Sequence, residues 1–216
     1  MGSYVSIGFV YGINKCENFV YDNLIKDTVE QELKKLIDYF LSINGTIKKI
    51  EYSEDLEGEN WTEINSSSLF YSKDIYQNIV NGYYGEITIH SDILEGRDVD
   101  CIIRLEKQKE FFGFLLDIKE EDILRTHSKE EIRYVTEELI ATIIRVYQYS
   151  NYNYAFCDQE AEFSYAPEEF SELEEIIYSV AVIPNPNANN FTIIKGNWNI
   201  DGLTNREKYG KEVRSA

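Results

Sequence analysis

GYYGEITIH at residues 82–90, DVDCIIRLE at 98–106 and KEFFGFLLDIK at 109–119 carry the clearest β signal in this chain. β-Branched and aromatic residues dominate all three, and only the turn-like stretches SDILEGRD (91–98) and KQK (107–109) lie between them. Connections that short leave no room for a crossover helix, so the three runs are expected to be antiparallel neighbours. Immediately downstream, residues 128–149 place Ile132, Val135, Leu139, Ile143 and Val146 on one helical stripe, joined by Ile140, Ile144 and Tyr147. The start S-K-E-E matches a capping box, with the Ser128 hydroxyl on the Glu131 N–H and the Glu131 carboxylate reaching back.

Upstream of the meander, Tyr4–Tyr11 alternates as a strand, and residues 22–43 repeat apolar side chains at Ile25, Val29, Leu33, Leu36, Ile37 and Phe40 as a second long helix. Gly45 stands where a helix-terminating glycine belongs. Thr46–Tyr52 reads as a strand, Ser53–Ser68 as an acidic, Ser-rich loop around Trp61, and Ser72–Asn81 as a short helix stopped by Gly82. Downstream, Pro167 followed by Glu168 and Glu169 suits a helix start, because proline tolerates the first position and acids favour the positive end of the dipole. Ile177–Ile183 and Phe191–Lys195 read as strands separated by the PNPNANN loop, with a loose tail after Tyr209. The order βαβαβββα(β)αββ predicts an α+β fold in one domain: an antiparallel meander packed with two long amphipathic helices and shorter ones.

The formal net charge of −18 is concentrated in two places. Residues 51–125 carry a net −11, and residues 151–180 hold eight carboxylates with no Lys, Arg or His. Direct docking on a phosphate backbone needs Lys and Arg to displace counterions, so nucleic acid is an unsuitable direct ligand and a cationic partner a suitable one. Cys16, Cys101 and Cys157 are odd in number and in no metal-binding spacing, which points to buried thiols in a reducing compartment. With no basic leader in MGSYVSIGFVYG and no apolar run of membrane-spanning length, the expected location is the cytoplasm, away from membranes.

No GxSxG, HExxH, GxxxxGK[ST] or GxGxxG occurs, and His90 and His127 stand apart from one another and from any suggestive neighbour. No catalytic residue and no cofactor is therefore nominated. An EF-hand loop built on Gly58 would put Ile64 where the bidentate glutamate belongs, which excludes it. Two acidic groups remain as candidate contact patches: Glu54, Asp55, Glu57 and Glu59 with Trp61, and Asp158, Glu160 and Glu162 with Tyr152 and Tyr154. Aromatic rings beside carboxylates can make an interface core with a polar rim, whereas Tyr83, Tyr84 and Tyr178 are read as ordinary strand residues. On a strand, Asp158, Glu160 and Glu162 would project from one face, close enough to share a hard cation, so a metal-dependent hydrolase is the alternative reading. A non-catalytic scaffold is a third.

MGSYVSIGFVYG at 1–12, NYAFCDQEAEFSYAPEEF at 153–170, YSVAVIP at 178–184 and WNIDGLT at 198–204 together resemble the cytoplasmic immunity proteins of bacterial polymorphic toxin systems, the immunity protein 64 group. The resemblance is one of overall pattern over most of the chain. It implies an α+β protein, not an enzyme, that binds and neutralises a cognate toxin domain, often a nuclease, and so protects the producing cell. It supplies no catalytic residues.

Overall fold

The computed structural model describes residues 3–13, 21–65, 75–94, 97–203 and 211–215. In chain order these form β1 (Tyr4–Gly12), α1 (Tyr21–Ser42), β2 (Thr46–Ser53), β3 (Trp61–Asn65), α2 (Ile75–Asn81), β4 (Tyr84–Leu94), β5 (Arg97–Lys107) and β6 (Phe111–Lys119). They continue with α3 (Glu120–Ile123), α4 (Lys129–Tyr147), β7 (Tyr154–Gln159), α5 (Pro167–Glu172), β8 (Val180–Asn185), β9 (Asn190–Lys195) and β10 (Lys211–Ser215). The fold is α+β. Its described strands make one antiparallel ten-stranded sheet in the order β10-β9-β8-β7-β1-β6-β5-β4-β2-β3.

The first strand in sequence is central in space, pairing β6 on one side and β7 on the other, so it joins the β4-β5-β6 meander to a second meander of β7 to β10. One face of the sheet carries the main core. Ile7 and Phe9 from β1, Phe114 and Leu116 from β6, and Cys101 and Ile103 from β5 pack there against Val29, Leu33, Leu36, Ile37 and Phe40 of α1 and Ile132, Val135, Leu139, Ile143 and Val146 of α4. Both helices present the stripes their spacing predicts.

The opposite face is divided. Over β6, β1 and β7 a second apolar layer of Val10, Phe111, Leu115, Tyr154 and Phe156 is covered by the segment from Ala161 to Tyr178, with Phe163, Phe170 and Ile177 turned inward. Burial on both faces explains why FFGFLL in β6 reads as an unbroken apolar run before Asp117. The cover fits closely: Phe156 lies flat on Tyr178, ring centroids 3.9 Å apart, and a Cβ on Gly8 would stand 2.1 Å from the Phe156 ring. Gly8 is thus needed to bring the backbone beneath that ring. Beyond β6 the cover stops, and β5, β4 and β2 alternate buried and half-exposed side chains.

Several sequence expectations change. Ser53–Ser68 is not simply a loop, because WTEIN pairs antiparallel with β2 from Ser53–Trp61 to Lys49–Asn65. Lys211–Ser215, expected to be loose, pairs with β9. Both are short strands held from one side, where the partner strand supplies what the segment's own pattern lacks. The left-handed residue ending α1 is Asn44 (φ 62°) rather than Gly45, whose N–H instead bonds the Phe40 carbonyl at 2.9 Å. Ser128 does cap α4, accepting the Glu131 N–H at 3.2 Å. The Glu131 carboxylate, however, reaches past Ser128 and accepts the N–H groups of Arg125, Thr126 and His127 and the Thr126 hydroxyl. Those donors hold its pKa down to about 2.

Candidate partner-binding surface

The uncovered half of the outer sheet face is built by strand alternation. Glu63, Glu51, Glu86 and Arg104 come from β3, β2, β4 and β5 and stand directly opposite one another in register, forming one row across four strands. Three successive carboxylates in cross-strand register repel, and each like-charged pair costs roughly 0.2–1 kcal/mol. Lys49 offsets part of this through a 2.7 Å ion pair with Glu51. Arg104 offsets less than its position suggests, because its Nε and Nη2 both donate to Asp117 Oδ2 at 2.7 Å, while Asp117 Oδ1 accepts the Ser6 hydroxyl at 2.6 Å.

Among the described residues no hydrogen bond or ion pair reaches the Glu86 or Glu106 carboxylate. Partial burial raises the pKa of both, against the lowering pull of Arg104; Glu51 and Asp117 add to the rise at Glu86, and Glu162 and Asp117 at Glu106. Glu86, Arg104 and Glu106 line a shallow groove of about 580 Å³ together with Trp61, Tyr83 and Tyr84. A second hollow of about 400 Å³ continues from Glu86 and Arg104 past Ser6 and Asp117 to Glu160 and Glu162. From β1 to β3 this face spans five strand spacings, about 24 Å at ~4.8 Å each.

The aromatic end is a formed structure. Trp61 stacks on Tyr84 with centroids 6.1 Å apart and 24° between planes, the Trp61 indole N–H donates to the Gly58 carbonyl at 2.8 Å, and the Tyr84 hydroxyl donates to the Leu56 carbonyl at 3.0 Å. Leu56, Trp61, Tyr83 and Tyr84 are 61%, 43%, 56% and 43% exposed. Asp55 clamps the β2–β3 turn: its carboxylate accepts the N–H groups of Glu59 and Asn60 at 2.9 and 2.8 Å, which draw its pKa down to about 2. Glu54, Glu57 and Glu59 stand exposed around it.

The two sequence-nominated groups therefore fare differently. Glu54, Asp55, Glu57, Glu59 and Trp61 share one hairpin at one end of the open face, and Glu160 and Glu162 lie exposed at the other. Tyr152, Tyr154 and Asp158 are interior. Tyr152 donates to the Ile143 carbonyl, and Tyr154 stacks on Phe170 at 3.9 Å and donates to the Tyr165 carbonyl. Asp158 accepts the Trp198 indole N–H, the Ser179 N–H and the Gln159 N–H, so it pins two segments together, and burial raises its pKa against those bonds.

The expected one-sided projection of Asp158, Glu160 and Glu162 does not hold, because β7 ends at Gln159 and Glu160 turns with φ 46°. Among the described residues no three His, Cys, Asp or Glu side chains converge to hold a metal ion. Cys101 and Cys157 are buried free thiols with pKa values raised by burial, and Cys16 lies outside the described residues. His90 pairs across strands with Asp100 at 2.7 Å, and His127 lies between Glu120 and Asp201 at 3.7 and 3.5 Å. Glu51, Glu63, Glu86, Arg104 and Glu106 were not nominated from sequence. Their signal is period-two alternation of charge with Ile and Leu along β2, β4 and β5, which acquires meaning only once the strands are in register.

The described residues thus give an α+β fold whose open sheet half is acidic and flanked by exposed aromatic rings. The chain belongs to the immunity protein 64 family, whose model matches residues 1–206. It is thus an immunity protein, a family that implies a cognate toxin partner. Among curated proteins none matches it. Among solved structures it is similar to the Pseudomonas aeruginosa T6SS protein PA0821, with 6% identity and a TM-score of 0.33, over 73% of this chain and 41% of that one. The chain thus spans about two fifths of that structure's length. No described helix is long and apolar enough to cross a membrane.

Proposed function

We propose that this protein neutralises its cognate toxin domain by laying the open half of its sheet over a basic surface of that domain. The observation that carries the reading is the Glu63–Glu51–Glu86 row, a repulsive arrangement that a cationic partner relieves. Exposed Leu56, Trp61, Tyr83 and Tyr84 beside it supply the apolar contact that desolvates such pairings. Glu54, Glu57 and Glu59 at one end and Glu160 and Glu162 at the other extend the negative field and steer association. Asp55, Tyr152, Tyr154 and Asp158 act from behind, holding the hairpin and the cover in shape. A toxin with a basic substrate-binding face, as a nuclease has, is the partner this surface suits, and coverage of that face blocks its substrate. The protein acts in the cytoplasm as an inhibitor and is not itself an enzyme.

The test uses the cognate toxin domain. Charge reversal of Glu51 and Glu63, of Glu54, Glu57 and Glu59, or of Glu160 and Glu162 is expected to weaken toxin binding and flatten its salt dependence. Reversal of the exposed Glu174 and Glu175 is expected to do neither. Unchanged affinity and salt slope in all three face variants would refute the proposal.

A further inference from the structure

We infer that the groove between the Trp61–Tyr84 stack and the Glu86 and Glu106 carboxylates is a socket for an arginine side chain of the partner, an inference that rests on the open face being the toxin-binding face.

The socket joins two kinds of wall. Trp61 and Tyr84 offer partly exposed, nearly parallel rings fixed by their own hydrogen bonds to Gly58 and Leu56. Glu86 and Glu106 offer half-buried carboxylates that accept no hydrogen bond among the described residues, since the nearby guanidinium of Arg104 is held by Asp117. Trp61, Tyr84, Glu86, Arg104 and Glu106 line the same groove. A planar cation with several N–H donors suits both walls, stacking on the rings while donating to the carboxylates. An ammonium is more strongly hydrated and lacks the flat face, so lysine suits the carboxylates alone. Asp117 neutralises Arg104, and Lys107, held by the Val80 and Gly82 carbonyls, offsets one of the two lining carboxylates, which leaves charge for one guanidinium and disfavours a multiply charged head. The occupant is thus one arginine on a protruding loop of the toxin, with neighbouring basic residues meeting Glu51 and Glu63.

Hexa-arginine and hexa-lysine peptides carry the same charge and separate guanidinium recognition from general attraction. Titrated into isotope-labelled protein, hexa-arginine is expected to shift the Trp61 indole and the backbone amides of Gly85 and Arg104 saturably, about fivefold more tightly than hexa-lysine. Glu86→Gln combined with Glu106→Gln is expected to abolish that preference while an unchanged circular dichroism spectrum reports the fold. Equal affinity for the two peptides, or shifts confined to Glu174 and Glu175, would overturn the socket. With the toxin domain, loss of binding on reversing Glu51 and Glu63 but none in the double glutamine variant would also overturn it and leave the face intact. An arginine preference at Trp61 together with toxin binding indifferent to every face variant would instead sink the toxin-binding reading.

Discussion

Glu86 stands directly opposite Arg104 across β4 and β5, yet the Arg104 guanidinium turns aside to Asp117, with two 2.7 Å contacts to Oδ2. The sheet therefore keeps a half-buried carboxylate without its nearest cation as a bonded partner. Burial raises the Glu86 pKa, with Glu51 and Asp117 adding to it. A carboxylate whose folded-state pKa is raised binds protons more readily folded than unfolded, so the fold gains stability as pH falls through that window and is penalised above it. Glu86→Gln removes the penalised charge. It is expected to raise stability at pH 7 by about 0.2–1 kcal/mol, the range for a like-charged cross-strand pair, and to weaken toxin binding. Urea unfolding at pH 7 checks the first effect, and lower stability in the glutamine variant would contradict it.

Glu131 presents the reverse case. Its carboxylate gathers the N–H groups of Arg125, Thr126 and His127, which lower its pKa to about 2. A depressed carboxylate contributes stability that is present above its unfolded value of about 4.3 and lost as pH falls toward the folded one. Glu131→Gln is expected to cost about 1 kcal/mol at pH 7, on the scale of a lost helix cap. The deficit should shrink steadily between pH 5 and pH 2, which unfolding curves across that range would reveal.

Gly8 and Phe156 are coupled through space. With the ring only 2.1 Å from where a Cβ would stand, Gly8→Ala is expected to destabilise by about 1–3 kcal/mol through overpacking. Phe156→Ala should cost about 3–5 kcal/mol, since the ring also stacks on Tyr178. Together they should cost less than their sum, because the second change vacates the volume the first one needs. Additive losses in a denaturant double-mutant cycle would mean that the backbone shifts instead of the ring.

The two long helices and the central strands were legible because each element's burial is written in its own period, whereas the four-residue α3 is too short to show one. Residues 129–147 repeat every three to four positions, and β6 is apolar from Phe111 to Leu116 because both of its faces are buried there. β3 and β10 were not legible, since five residues paired from one side leave too little pattern. The acidic stretch 151–180 misled for a physical reason. Alternation in β7 turns Tyr154, Phe156 and Asp158 under the cover, and the cover itself turns Phe163, Phe170 and Ile177 inward, so its exposed carboxylates are the outside of a lid. Proximity along the chain placed Tyr154 beside the acids, whereas in space it faces Phe170. The Glu63–Glu51–Glu86 row has no sequence signature, because its members lie on three strands whose register the chain does not display locally.

The pH dependence of binding turns on Glu86 and Glu106. Glu86 is faced by Lys49 and Glu51 from β2, Arg104 from β5 and Asp117 from β6; Glu106 is faced by Arg104, Asp117 and Glu162. Burial leads the causes at both and raises their pKa values. A cationic partner needs them ionised, so toxin affinity should begin to fall while pH is still above the usual carboxylate range, with proton uptake on dissociation. The hairpin that presents Trp61 stays formed throughout, because Asp55, with a pKa of about 2, keeps its grip on the Glu59 and Asn60 N–H groups. Calorimetric titrations at pH 7, 6 and 5, in buffers of different ionisation enthalpy, should give an affinity for the native protein that falls, and a proton uptake on dissociation that grows, as pH is lowered. In the Glu86→Gln, Glu106→Gln variant the starting affinity should be lower and the dependence on pH weaker. Matching profiles for the two proteins would place the proton-linked contacts elsewhere on the molecule.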